Sequence, residues 1–145
     1  MTALFLGLMV LAGVMIAFQS PLNAALAKRT GPLEAALISF ATGAALLFVL
    51  VQVLGKGSVQ AAHRAPPWML LGGVLGALYV TTIIVSVPRV GVSAAIVAAL
   101  VGQLAAGLVI DRLGLFGVPA HPVDGSRVLA LVLFVAALWL MSPKR

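Results

Sequence analysis

Apolar residues fill long stretches of this chain, and short polar segments interrupt them at fairly regular intervals. A helix needs about 20 apolar residues to cross the core of a bilayer. The candidate spans are residues 3–25, 35–54, 68–87, 92–110 and 128–141. The fifth is short by this measure, but it contains no charge and no proline, and Asp124 or Ser126 precedes it as a possible N-cap. The pattern predicts an all-α membrane protein with five transmembrane helices, in a single transmembrane domain over residues 1–145.

The polar segments contain residues that typically begin or end helices. Pro32 lies where a helix starts without needing its N–H group. Pro88 disfavours helical geometry at Val87, and Gly91 tolerates a turn. The third span is therefore expected to end at Val87 in a tight reversal.

Composition supports a location in the membrane. Of the 145 residues, 63% are hydrophobic and 8% are charged, whereas about a quarter of the residues of a soluble domain are charged. The net charge is +6, but the basic residues lie singly or in pairs at the ends of apolar stretches. Nucleic-acid binding requires a basic stripe or patch instead. The bilayer is therefore the expected partner, and nucleic acid is not.

Basic residues are divided almost equally between the two sides of the predicted bundle. An excess of Lys and Arg in short loops normally fixes which side stays in the cytoplasm. One set of alternate loops contains Lys56, Arg64, Arg112 and Arg127, and the other set, with the C-terminus, contains Lys28, Arg29, Arg89, Lys144 and Arg145. Four against five gives almost no bias. The chain is expected to insert in both orientations and to form an antiparallel homodimer.

The predicted spans contain neutral polar residues and no charge in their interiors. Glu34, Asp111 and Asp124 all lie at segment ends or in loops, which argues against an ion pathway built on a carboxylate at mid-membrane. Gln19 and Asn23 are four residues apart and share a helix face, and Pro21 between them removes one backbone hydrogen bond. Two interpretations stay open: the amides line a substrate cavity, or they bond a neighbouring helix for about 0.6 kcal/mol.

Gln103 and Tyr79 lie near the middle of the fourth and third spans. An unpaired amide or hydroxyl in hydrocarbon is costly, so both side chains are expected to face protein or water. Small residues at helical spacing accompany them, which is typical of closely packed membrane helices. The expected packing positions are Gly72, Gly76 and Gly102.

Several kinds of chemistry have no support in the sequence. There is no cysteine, and His63 and His121 are too far apart for a metal motif. No nucleophile–base pair or carboxylate pair occurs at membrane depth, so neither enzymatic activity nor a cofactor is expected. Asp111 is a candidate coupling residue, although Arg112 beside it favours a simple ion pair at the membrane surface.

Several runs of residues, taken in order, form a pattern over nearly the whole chain: Gln19–Leu26, Leu37–Gly43, Gly72–Val80, Gly102–Gln103 and Ile110–Gly117. Together these runs resemble the YdcZ-like family of the drug/metabolite transporter superfamily. The resemblance implies a five-helix unit of the inner membrane that exports or exchanges small metabolites. The related small multidrug resistance proteins exchange protons for cationic drugs through a glutamate in the first helix. This chain has only Gln19 and Asn23 there, so a neutral or zwitterionic substrate is expected instead.

The combined hypothesis is an antiparallel homodimer with alternating access. The first four helices of each protomer are expected to enclose a shared chamber lined by Gln19, Asn23, Ser39, Thr42, Tyr79 and Gln103. Two alternatives remain, namely a passive channel for a small ion and an assembly subunit of the membrane without transport of its own.

Overall fold

Helices account for most of the computed structural model, which describes residues 2–142. The five α-helices are α1 (Thr2–Thr30), α2 (Pro32–Leu54), α3 (Leu71–Val90), α4 (Val92–Leu113) and α5 (Gly125–Met141). Short 3-10 helices cover Val59–Arg64, Pro67–Leu70 and Leu115–Gly117. Between residues 2 and 142 no strand occurs, so the predicted all-α class is confirmed. Lys144 and Arg145, which entered the charge count, lie outside the described residues.

Four of the helical segments are long and apolar enough to cross a membrane. They are α1, α2, α3 together with the 3-10 turn before it, and α4. The fifth helix is apolar but has only 17 residues, or about 25 Å of helix, against a bilayer core of about 30 Å. Most large apolar side chains are exposed, which is the pattern of a protein that meets lipid rather than water.

Both prolines inside helices are accommodated without a break. α1 continues through Pro21, and α3 continues through Pro88 as far as Val90. The expectation that the third helix ends at Val87 was therefore wrong. The bias against helical geometry before a proline is only a preference, and the helix continues although Pro88 cannot donate a hydrogen bond to the preceding turn. Gly91, between α3 and α4, has the non-helical backbone angles φ +83° and ψ 162°.

Two glycines connect helices in nearly the same way. Gly31 between α1 and α2 has φ +102° and ψ 155°, close to the values of Gly91 between α3 and α4. This region of backbone space is essentially restricted to glycine. In both cases the glycine carbonyl accepts the first helical hydrogen bond, from Ala35 N at 3.0 Å and from Ala95 N at 3.2 Å. The two connections thus share a geometry that no sequence repeat indicates.

The described chain forms two compact units, one ending at Pro88 and the other beginning at Arg89. In the first unit α1 packs along α2, and a small core of Ala35, Ala36 and Ile84 ties α3 to them. The alanines permit a close approach of the backbones. In the second unit α4 packs along α5.

Candidate functional site

An open pocket of about 270 Å³ lies between α1 and α2 in the first unit. We call it the α1–α2 groove. Its lining residues are Gln19, Ser39, Phe40, Gly43, Ala44 and Leu47. Two predicted site residues, Gln19 from α1 and Ser39 from α2, thus lie at one site. Gly43 and Ala44 have little or no side chain, which leaves room for the groove.

Asn23 lies one turn beyond Gln19 along α1 and is almost completely enclosed. The residue is only 8% exposed, and no hydrogen bond of its carboxamide is recorded among residues 2–142. Buried polar groups usually have partners. No side-chain nitrogen or oxygen in the described chain is both fully buried and unpaired, so the amide keeps an edge open to its surroundings. Asn23 therefore retains hydrogen-bonding capacity within a helix that is long and apolar enough to cross a membrane.

Other hydroxyl groups near the groove donate within their own helices. Thr42 Oγ1 lies 3.0 Å from the carbonyl oxygen of Ile38 and 2.9 Å from that of Ser39. Ser20 Oγ donates to the carbonyl oxygen of Ile16 at 3.0 Å. In contrast, no side-chain hydrogen bond of Gln19 or Ser39 is recorded within the described chain. The predicted site residues are thus of two kinds: Thr42 has its donor engaged, and Gln19, Asn23 and Ser39 do not.

Pro21 changes the backbone of α1 beside these amides. Proline has no N–H group, so the carbonyl oxygen of Ala17 lacks its usual helical donor. Ala17 is half-buried. This carbonyl provides one further acceptor between the turns that carry Gln19 and Asn23, as the sequence pattern predicts.

The Phe40 side chain connects the groove to α3. It lines the groove, and its ring edge also faces Gly76, where an added Cβ would lie 3.5 Å from Phe40 Cζ. Tyr79 lies one turn beyond Gly76 on α3 and is half-buried. Sequence reasoning did not identify Phe40, because one aromatic residue in an apolar helix looks like any other lipid-facing or core residue. Only the relative register of α2 and α3 reveals the contact.

The expected packing glycines differ in their surroundings. Gly76 is in reach of Phe40, whereas a Cβ at Gly72 or Gly102 would meet no described atom within 4 Å. A packing role for Gly72 and Gly102 stays a prediction. Gln103 is exposed on α4, and its place in a chamber also stays a prediction.

The second unit contains an ion pair that adjacency in the sequence does not indicate. Asp111 Oδ2, in the last turn of α4, lies 3.1 Å from Arg127 Nη1 in the first turn of α5. The expected pairing with Arg112 was wrong, because neighbouring helix residues point to different sides. The backbone N–H of His121 donates to the carbonyl oxygen of Asp111 at 2.8 Å. Both contacts fasten the α4–α5 connection to the end of α4.

Asp124 caps the start of α5, as one of the two predicted alternatives. Its Oδ1 accepts a hydrogen bond from Arg127 N at 2.9 Å and another from Ser126 Oγ at 2.8 Å. The bond from the Arg127 backbone, followed by the bond from Ser126, holds the pKa of the Asp124 carboxyl below its usual value. Asp124 and Asp111 thus meet different groups of the same arginine.

Comparison with known proteins identifies the family. A family model described as "Putative inner membrane exporter, YdcZ" matches residues 4–140. No curated protein and no solved structure matches the chain. The match covers nearly the whole chain, and the chain therefore belongs to the YdcZ family. It is a multi-pass protein of the inner membrane and, in general class, a membrane transporter.

Proposed function

We propose that this member of the YdcZ family is a carrier for a small neutral or zwitterionic metabolite, which binds in the α1–α2 groove. The observation that carries the proposal is a group of polar side chains on α1 and α2 that form no hydrogen bond within residues 2–142. Gln19 and Ser39 line the groove, and Asn23 lies one turn away from Gln19. A carboxamide offers two donors and an acceptor. These groups match the amide, hydroxyl or paired charges of a small metabolite.

Groove size and polarity support this substrate class. The volume of about 270 Å³ is slightly below the range of about 300–1,000 Å³ that is usual for ligand pockets, which favours a small substrate. The lining side chains are neutral, and Phe40 and Leu47 provide an apolar wall. A substrate with an uncompensated charge would be desolvated without a counter-charge, which is strongly unfavourable.

The groove also supports assembly with a second copy. Gln19 is exposed in the single chain, and hydrocarbon cannot satisfy a carboxamide. A partner protomer over the groove would remove this side chain from lipid. The balanced loop charges favour a partner of opposite orientation, and two inverted copies that exchange conformations give alternating access by symmetry.

Counterflow in proteoliposomes tests the carrier mechanism. Vesicles containing the purified protein are loaded with one metabolite at a time, and uptake of the labelled compound is followed. A carrier shows saturable uptake that unlabelled internal substrate accelerates. Uptake that rises linearly with concentration and shows no counterflow would indicate a channel and overturn the proposal. If Gln19→Ala changes dimer stability but no flux, an assembly subunit is indicated instead.

Orientation can be tested separately, because the chain has no native cysteine. Thr30→Cys, at the α1–α2 connection, and Ser58→Cys, after α2, each introduce a single thiol. An impermeant thiol reagent applied to intact cells should modify each variant in only part of the population. Complete labelling of one variant and none of the other would contradict the antiparallel dimer.

A further inference from the structure

We infer that Phe40, whose ring edge faces Gly76 of α3, sets the size limit of the α1–α2 groove. The inference deepens the proposed function, since it takes this groove as the substrate site. It assigns a specificity role to two residues on different helices, of which one, Gly76, does not line the groove.

Phe40 has contacts on two sides. It is one of the groove-lining residues and remains 40% exposed. An added Cβ at Gly76 would lie 3.5 Å from Cζ and 3.7 Å from Cε1 of the ring. These distances are ordinary van der Waals contacts, so the space between the α3 backbone and the ring edge accommodates one methyl group. A side chain larger than a methyl group would meet the ring.

The size of residue 76 should therefore control the position of the ring. A methyl group fits at the observed distances, so Gly76→Ala leaves the ring where it is. A branched or longer side chain at this position overlaps the ring and displaces it toward the groove. Removing the ring in Phe40→Ala widens the groove. Apolar pockets distinguish ligands that differ by one methylene by about 10- to 200-fold, so these changes suffice to alter which substrates fit.

Matched controls lie on the same two helices. Gly72 precedes Gly76 by one turn on α3, and a Cβ there would meet no described atom within 4 Å. Phe48 lies two turns beyond Phe40 on α2, is 66% exposed and is not among the groove-lining residues. Gly72→Leu and Phe48→Ala therefore make the same chemical changes away from the groove.

The experiment measures access to a single thiol in the groove. Ser39→Cys and, separately, Gly43→Cys are reacted in proteoliposomes with a small and a bulky methanethiosulfonate reagent. The ratio of bulky to small labelling rates reports the width of the groove. We expect Phe40→Ala to raise this ratio by about tenfold and Gly76→Leu to lower it by about tenfold. The ratio should stay unchanged in Gly76→Ala, Gly72→Leu and Phe48→Ala. Adding Phe40→Ala to Gly76→Leu should reverse the decrease in the ratio.

Two results would overturn the inference. One is a labelling ratio that Gly72→Leu and Gly76→Leu change equally, or that Phe40→Ala does not change. The other is the absence of any labelling of both thiols by the small reagent, because a substrate groove must admit a water-soluble molecule. Phe40→Leu and Gly76→Val provide milder changes where the larger ones prevent folding, as judged by size-exclusion elution. If the labelling ratio changes in Phe40→Ala as expected but no metabolite shows counterflow, the carrier proposal is refuted and the size limit set by Phe40 is retained.

Discussion

The α1–α2 groove and the α4–α5 connection use their polar side chains in opposite ways. At the connection, Asp111 pairs with Arg127, and Asp124 accepts hydrogen bonds from Ser126 and the Arg127 backbone. In the groove region, no hydrogen bond of the Gln19, Asn23 or Ser39 side chains is recorded within residues 2–142. The polar groups of the connection are thus engaged with one another, and those of the groove keep capacity for a ligand or a partner chain.

The difference separates structural from binding residues by a physical criterion. A polar side chain with a partner in the same chain contributes to stability and loses little by remaining there. A polar side chain at span depth without such a partner is unfavourable unless something else binds it. The same substitution should therefore have opposite consequences in the two regions: lost transport with intact stability at the groove, and lost stability with intact transport at the connection.

The largest effect is expected for Gln19→Ala. It removes an exposed carboxamide that lines the groove and has no hydrogen-bond partner within the described chain, so the thermal unfolding midpoint should stay unchanged. Counterflow should fall by about tenfold or more, the equivalent of a lost substrate hydrogen bond of about 1.4 kcal/mol. Gln52→Ala, at an exposed position outside the groove, is the control. A lower unfolding midpoint with normal flux would assign Gln19 to helix packing.

Removing the cap in Asp124→Ala should lower the unfolding midpoint and leave counterflow unchanged. The folded-state pKa of Asp124 is below its usual value, so its stabilising contribution is fully present above the pKa of the unfolded chain. This contribution is lost as the pH falls through the lower folded-state pKa. The difference in midpoint between wild type and variant should therefore disappear in acid. A pH-independent difference would contradict this account of the cap.

The smallest effect is expected for the Asp111–Arg127 pair. Both side chains are more than one third exposed, and exposed pairs contribute about 0.2–1 kcal/mol. Asp111→Asn should lower stability by about this amount, less so at high salt, and leave counterflow intact. The exchanged pair Asp111→Arg with Arg127→Asp should recover part of the loss. Loss of transport in Asp111→Asn without loss of stability would instead assign Asp111 to ion coupling.

Local rules predicted much of the fold. The apolar stretches predicted the five helices, and side-chain chemistry limited the cap of α5 to Asp124 or Ser126, of which the structure shows Asp124. The error at Pro88 came from treating a local preference as a helix boundary. Contacts between helices required the structure: Asp111 and Arg127 are 16 residues apart, and Phe40 and Gly76 lie on different helices. The sequence does not provide the register that brings each pair together.

The sequence identified the neutral polar residues within the predicted spans. It did not show which of them form hydrogen bonds within their own helix and which do not. Gln19, Asn23, Ser39 and Thr42 look alike in the residue pattern. Only the geometry shows that the Thr42 hydroxyl donates within α2 while the amides of Gln19 and Asn23 have no recorded partner among the described residues. Hydrogen-bond geometry therefore distinguishes among candidate binding residues that the sequence alone treats as equivalent.

Protection of a groove thiol by substrate tests the central claim most directly. The labelling rate of Ser39→Cys is measured in proteoliposomes at increasing concentrations of a metabolite that wild type exchanges, with Ser58→Cys as the control. If the α1–α2 groove is the transport site, the metabolite slows labelling of position 39 alone, with a half-maximal concentration equal to that for exchange by the same variant. Exchange that proceeds while the labelling rate of position 39 stays constant would contradict the claim.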